Sequence, residues 1–230
     1  MSRSPNLILR SLPQNIFAAL EPHLEQVTLA FGDVVAETGE PVRAVYFPFN
    51  GIVSLVVEMQ VGQMIETAMV GRDGVVNSTA ALDSKVSLYR GIIQVAGTAA
   101  IIDPDILRTL NSDFPPLQSL LIRHEQVLLS QAQQSAACNA GHTIEARMCR
   151  WLLRMRDLMQ SDELKLTQEF LAQMLGVQRP SVSMTAATLQ RAGLITYRRG
   201  TIQLLDIERL QESACECYET VKANYRRLLS

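Results

Sequence analysis

Between Leu166 and Leu205 the chain is punctuated so closely that few folds remain open to it. Thr167 is a suitable N-cap for a helix over Gln168–Leu175, in which Phe170, Leu171, Met174 and Leu175 make one apolar face. Gly176 stands where a glycine in the left-handed conformation ends a helix. Pro180 fits the first position of a second helix, running to Ala192 and closed by Gly193. Two short apolar stretches follow, Leu194–Tyr197 and Thr201–Leu205. The turn Arg198-Arg199-Gly200 joins them as a β-hairpin. Helix, tight turn, helix and hairpin spell a winged helix-turn-helix.

The second helix has two faces. Val182, Ala186 and Leu189, spaced four and three apart, must face a core. Ser181, Met184, Thr185 and Thr188 share another side, with Gln178 and Arg179 at the N-terminal end. A helix kept polar for solubility would show Glu and Lys there, yet no acid occurs between Val177 and Asp206. Short polar side chains without negative charge let a helix lie against phosphates and base edges. Thr167 and Ser183 complete the candidate contacts, and Arg198 and Arg199 place two cations at the hairpin tip. Double-stranded DNA is the partner this pattern implies. The competing reading is a β-roll ligand-binding or scaffold protein whose helix-turn-helix only packs.

Charge distribution agrees. The net charge is −2, but residues 1–142 carry 8 Lys/Arg against 13 Asp/Glu, a net −5. Residues 143–230 carry 13 against 10, a net +3, which points to a polyanion partner for that part alone.

Upstream, a short helical lead-in over Leu7–Leu24 is interrupted by Pro13 and Pro22. Residues 26–102 then alternate apolar, β-branched stretches with glycine and proline, the texture of an all-β barrel or sandwich. Alternation at Ile65–Met69 and Ile92–Val95 predicts strands with one wet face. Asp103-Pro104 starts a short helix, and Pro115-Pro116 a long one that meets no glycine or proline before Gly141. A helix of about 25 residues, about 37 Å long, overhangs a single domain. It reads as a dimer seam, with His124 and Gln131 at plausible core positions, or as a plain connector. The expected domains are 1–113, 114–141 and 142–230.

Leu166-Thr-Gln-Glu-Phe-Leu-Ala-Gln-Met-Leu-Gly-Val-Gln-Arg-Pro-Ser-Val-Ser, followed by Leu189-Gln-Arg-Ala-Gly-Leu-Ile, resembles the winged helix of the cyclic-AMP receptor/fumarate-nitrate regulator (Crp/Fnr) superfamily. The resemblance extends along nearly the whole chain. It implies an α+β fold: an N-terminal β-roll (a jelly roll like that of cyclic-nucleotide-binding domains), a long central dimerisation helix, and a C-terminal winged helix-turn-helix. It also implies a cytoplasmic homodimer on a palindromic operator, with RNA polymerase as the further partner of an activator and no membrane. Arg179 holds the place of the family's guanine-reading arginine, and Pro180, Ser181 and Met184 the other base-facing places. Pro180 and Met184 replace the more usual Glu and Arg, so the operator need not follow the best-known consensus.

In the sensor region the resemblance thins. Cyclic-nucleotide binders of the family carry a Gly-Glu pair for the ribose and an Arg-Ser/Thr pair for the phosphate. Here no Glu lies between Gly74 and Arg90, and Arg90 is followed by Gly91, which has no hydroxyl. A buried phosphate and ribose would lack half their partners, which argues against a cyclic nucleotide. Arg72, Gly74, Asn77, Tyr89 and Arg90 remain the candidate contacts for some other ligand. The N-terminal cysteine cluster of iron–sulfur members is absent, since no Cys precedes Cys138.

No cofactor or metal is expected. Cys138, Cys149, Cys215 and Cys217 read as packing thiols of a reducing compartment, because Cys215-Glu216-Cys217 is not the usual metal knuckle. A metal site would need a fold that brings the two distant pairs together. His23, His124 and His142 have no convincing nucleophile or carboxylate partner and no Gly-rich phosphate loop occurs, so an enzyme is not expected. No apolar run approaches the roughly 18–20 residues that span a bilayer, and the N-terminus has no signal-peptide pattern.

Overall fold

The computed structural model describes residues 4–60 and 62–229. They form two compact units. The first comprises the chain up to Val56, Ala68–Ser130 and the residues from Asn224 onward; the second comprises Val57–Thr67 and Gln131–Ala223.

The first unit opens with α1 (Leu7–Ser11) and α2 (Gln14–Leu20), separated at Pro13, and a 3-10 turn over Glu21–His23 that carries Pro22. Asn6 caps α1, accepting from the Ile8 and Leu9 amides, and its amide donates to the Pro48 and Gly74 carbonyls at 3.0 Å each. The strands are β1 (Glu25–Leu29), β2 (Val34–Ala36), β3 (Val45–Pro48), β4 (Ile52–Glu58), β5 (Met64–Val70), β6 (Arg90–Val95) and β7 (Gly97–Ile102). They make two sheets, ordered β1-β7-β3 and β2-β6-β4-β5, as expected of a β-roll. Between them pack Leu29, Val53, Leu55, Ala68, Val70, Val76, Ile93 and Ala99.

Sequence pattern passes over β7, because Ala99 and Ala100 are poor strand formers. It is nonetheless the middle strand of its sheet, where β1 and β3 supply both sets of partners. The expected wet faces are not found. Gln94 is buried with the Ser54 hydroxyl donating to its Oε1 at 2.5 Å, and Glu66 is buried as well. Each of these polar residues has a buried hydrogen-bonding partner, Ser54 for Gln94 and Trp151 for Glu66.

The helix α3 (Pro104–Asp113) starts at Asp103, which caps it as expected. Then comes α4 (Pro115–Gly141), 27 residues long. Its buried positions include Leu117, Leu121, His124, Leu128, Gln131, Ser135 and Cys138. His124 and Gln131 therefore face their own chain and are not available to a partner helix. The opposite stripe, Ser119, Ile122, Gln126, Leu129, Gln133, Ala136 and Ala140, is exposed throughout and repeats every three and four residues.

The second unit holds α5 (Ile144–Met159), β8 (Glu163–Lys165), α6 (Gln168–Leu175), α7 (Arg179–Arg191), β9 (Ile195–Arg198), β10 (Thr201–Leu204), α8 (Ile207–Ser213) and most of α9 (Cys217–Leu229). Thr143 caps α5, whose buried face carries Met148, Trp151, Leu152 and Met155. The Trp151 indole N–H donates to Glu66 Oε1 at 2.8 Å, which satisfies the carboxylate inside this unit. Among the described residues no helix is long and apolar enough to cross a membrane.

Candidate nucleic-acid interface

The helix-turn-helix forms where the punctuation predicts. Thr167 Oγ1 accepts from the Phe170 amide at 3.1 Å, and Gly176 closes α6 at φ +62°. The Val177 amide returns to the Ala172 carbonyl at 3.0 Å, satisfying an end group of the helix. Arg147 donates to the Leu175 carbonyl and so ties α5 to the same turn. Sequence reasoning missed this anchor.

Helix α7 begins one residue earlier than expected: Gln178 is its N-cap and Arg179 its first residue, so Pro180 stands second. Proline is tolerated there because the first four amides of a helix have no partner within it. No acid lies in the first turn and no side chain caps it, so the positive end of the helix is left for an anion.

Val182, Ala186 and Leu189 are fully buried, as the spacing requires. Gln178, Arg179 and Pro180 are exposed, and Met184 is 72% exposed. Ser181, Thr185 and Thr188 are half-buried on the outward side. Thr188 Oγ1 accepts from Arg191 at 3.3 Å, holding that guanidinium along the helix. Ser183 differs from the rest: its hydroxyl donates to Gln168 Oε1 at 2.7 Å and so packs α7 on α6.

The hairpin β9–β10 pairs Arg198 with Thr201 and turns through Arg199 at φ +49° and Gly200 at φ +78°. Two consecutive left-handed residues are what a tight hairpin with the native twist needs. Arg198 and Arg199 are both exposed. The wing is anchored by features the pattern did not reveal. Strand β8 pairs with β10 to make a three-stranded sheet, ordered β8-β10-β9. Tyr197 donates its hydroxyl to the Leu166 carbonyl at 2.8 Å, and its amide donates to Gln190 Oε1 at 2.8 Å. Burial pushes the Tyr197 phenol up and the Arg179 charge partly offsets it. Wing and α7 N-terminus thus share one electrostatic neighbourhood.

The candidate ligand contacts of the first unit are engaged with the protein itself. Asn77, left-handed at φ 66°, donates to the Val35 and Ala44 carbonyls, at 3.2 and 3.0 Å. Tyr89 donates to Asn77 Oδ1 at 3.1 Å and accepts the Asn77 amide at 2.9 Å. Arg90 pairs with Glu37 at 3.4 Å, and the Arg72 carbonyl accepts the Leu7 amide at 2.7 Å. Gly74 lies against α4 so closely that a Cβ would stand 2.8 Å from His124 Nε2.

Two histidines have partners that the sequence did not suggest. His124 Nε2 accepts the Val75 amide at 3.0 Å, and Ser78 Oγ lies 3.3 Å from its Nδ1. The Ser78 hydroxyl donates to Glu125, and His124 is wholly buried, so this triad braces α4 on the roll. His142 joins Cys138, Cys215 and Cys217, the ligand-type atoms all within 4.8 Å of one another. Here the fold does bring distant cysteines together. Cys149 stands apart, its thiol pushed up to about 12 by burial.

Residues 146–213 match the Crp-like helix-turn-helix domain family. Over 216 residues, 90% of this chain and 96% of the relative, the chain is 24% identical to the CRP-like cAMP-activated global transcriptional regulator of Mycobacterium tuberculosis. Its fold is similar to that of FixK2 from Bradyrhizobium japonicum, with a TM-score of 0.71 and 14% identity over 84% of this chain and 98% of that one. The c-di-GMP-responsive global regulator CLP of Xanthomonas campestris gives a TM-score of 0.70 and 17% identity over 84% and 100%. A CRP-family transcriptional regulator from Thermus thermophilus gives 0.67 and 24% over 83% and 99%.

Proposed function

We propose that the chain, whose residues 146–213 match the Crp-like helix-turn-helix domain family, is a sequence-specific transcription regulator of the Crp/Fnr type, acting in the cytoplasm as a homodimer on a palindromic operator. The observation that carries this reading is the outward face of α7. Arg179 is exposed at an uncapped, acid-free helix N-terminus, beside short polar side chains and a wing tipped with two arginines. Such a surface accepts phosphate on its rim and base edges at its centre. In this reading Arg179 reads a base, with Gln178, Pro180, Ser181, Met184, Thr185 and Thr188 lining the groove. Thr167, Arg198 and Arg199 hold the backbone. Ser183 acts indirectly, by fixing α7 on α6.

A second copy of the chain is the occupant proposed for the exposed stripe of α4. Its three-four repeat, with Ile122 and Leu129 followed by Ala136 and Ala140, suits a paired helix, and the small residues permit close approach. Two recognition helices so joined would meet half-sites roughly one helical turn apart. RNA polymerase is the further partner through which an activator would work.

For the signal, we propose a ligand other than a cyclic nucleotide, or no ligand. Arg90 is paired with Glu37 and followed by Gly91, while Asn77 and Tyr89 are bonded to the protein. In a thermal-shift titration cAMP should leave the melting temperature unchanged; a ligand at 100 times its Kd would add about 2.7 kcal/mol.

The decisive experiment selects duplexes from a random pool with the full-length protein and measures their affinity by fluorescence anisotropy. Arg179→Ala should cost about 1–3 kcal/mol and relax the preference at one position of each half-site. The pair R198A/R199A should weaken all duplexes alike. If both variants remain folded dimers and bind as the parent does, the helix-turn-helix is only a packing element of a β-roll scaffold.

A further inference from the structure

At the C-terminal end of α4 and the start of α9, four side chains of metal-binding type converge from two sequence-distant segments. Cys138 lies in the last turn of α4, and His142 four residues on, just past Gly141. Cys215 and Cys217 flank Glu216, Cys215 in the link from α8 to α9 and Cys217 at the first position of α9. Cys138 Sγ and Cys215 Sγ are 3.5 Å apart, and Cys217 Sγ and His142 Nδ1 are 3.6 Å apart. We propose that these four residues bind one divalent ion of the zinc class, tetrahedrally, in a Cys3His site.

The geometry suits a single ion. Zinc–sulfur bonds of about 2.3 Å and zinc–nitrogen bonds of about 2.0–2.1 Å, at tetrahedral angles, separate two sulfurs by roughly 3.8 Å and sulfur from nitrogen by roughly 3.6 Å. The Cys217–His142 separation of 3.6 Å already has this value, the Cys138–Cys215 separation of 3.5 Å is slightly short of it, and no two ligand atoms are more than 4.8 Å apart. A multi-iron cluster spreads its metals and requires its cysteines farther apart.

The surroundings are those of a ligand set. His142 turns Nδ1 toward the sulfurs while its Nε2 meets Glu216 Oε1 at 3.1 Å. A carboxylate on the remote ring nitrogen fixes the tautomer that offers a lone pair to a metal, a recurrent second-layer arrangement of zinc sites. Gln134 donates to Cys217 Sγ at 3.0 Å, a bond that favours the thiolate. The three thiols are buried, yet the imidazole is partly exposed, which gives an ion and departing protons a way in and out. Three thiolates and a neutral imidazole leave the loaded site with one negative charge. Arg150 offsets it, its charge acting on Cys138. Packing alone does not gather three thiols and an imidazole; Cys149, the cysteine that merely packs, stands outside the group.

The proposal is independent of DNA binding and is tested by metal content. Full-length protein without an affinity tag, purified from zinc-replete cells, should carry one zinc per chain by mass spectrometry. Stripping with a chelator should lower the melting temperature. Cobalt(II) added to the stripped protein should give the intense visible bands of a tetrahedral thiolate site, saturating at one ion per chain. Cys215→Ser should reduce metal to background, whereas Cys149→Ser and the ligand-conserving His142→Cys should retain it. Should Cys215→Ser fail to fold, the cobalt titration of the parent protein decides alone. Parent protein that holds no metal and gives no tetrahedral cobalt spectrum overturns the site, as does a Cys138–Cys215 disulfide in its place. Iron with inorganic sulfide, or zinc retained in folded Cys215→Ser, overturns it equally.

Discussion

His124 is enclosed by the Val75 amide, the Ser78 hydroxyl and the neighbouring carboxylates Asp73 and Glu125, and burial lowers its pKa to about 4 despite the Asp73 charge. It folds neutral, whereas in the unfolded chain it titrates near 6.5. The folded state therefore binds fewer protons between these values. The stability this burial confers is complete above about pH 6.5 and is lost as pH falls toward 4. A difference of this size corresponds to something on the order of 3 kcal/mol. Glu125, pushed up by burial, titrates in the opposite sense, so a comparison of variants is needed to isolate the imidazole. The stability of the parent protein to urea should fall steeply from pH 7 to pH 5, and His124→Gln should flatten that dependence. An equally steep profile in the variant would assign the effect elsewhere. The chain marked His124 as a core position but not the partners it meets there, because Ser78 is 46 residues away and nothing local marks the contact.

Among the elements, the wing turn and α4 carry separable predictions. Arg199 adopts a left-handed conformation that favours Gly or Asn, at some cost in stability. Arg199→Asn should raise stability by roughly 0.5–1 kcal/mol. Through its lost cation it should also lower the salt slope of DNA binding by about 0.9 for each phosphate contact removed. Thermal melts and titrations at several salt concentrations read the two effects apart. In α4 the exposed Leu129 lies at the centre of the stripe proposed to pair. Leu129→Glu should convert a dimer to a monomer by sedimentation while leaving the helix content unchanged; a dimer that persists would move the seam elsewhere. Asp103 made the start of α3 legible in advance, and Thr167 and Gly176 both ends of α6, whereas Pro180 placed the start of α7 one residue late. The face α4 turns inward was not legible, because both of its stripes repeat at heptad spacing and only tertiary packing distinguishes them.

For the whole molecule, the contrast between an acidic N-terminal part and a basic C-terminal part sets how binding should respond to salt. With Arg179 on a base, a dimer presenting Arg191, Arg198 and Arg199 from each copy can neutralise at most six phosphates with these side chains. The logarithm of affinity should then fall with that of salt concentration with a slope no steeper than about 5. A slope near zero would exclude phosphate contact altogether. The order β-roll, long helix, winged helix-turn-helix was readable because each segment has its own hydrophobic period and its own punctuation. The Cys3His group was not, since it depends on the end of α4 and the start of α9, some 75 residues apart, being folded against each other.

One consequence of the bond between Trp151 and Glu66 is optical. The chain has a single tryptophan, 2% exposed, whose ring nitrogen is held by a carboxylate at 2.8 Å. Ultraviolet emission excited at the red edge of the absorption band therefore comes from one indole in one dry environment, free of overlapping signals. Its colour and lifetime report on the second unit from within, and a shift toward longer wavelength records the moment water reaches that ring.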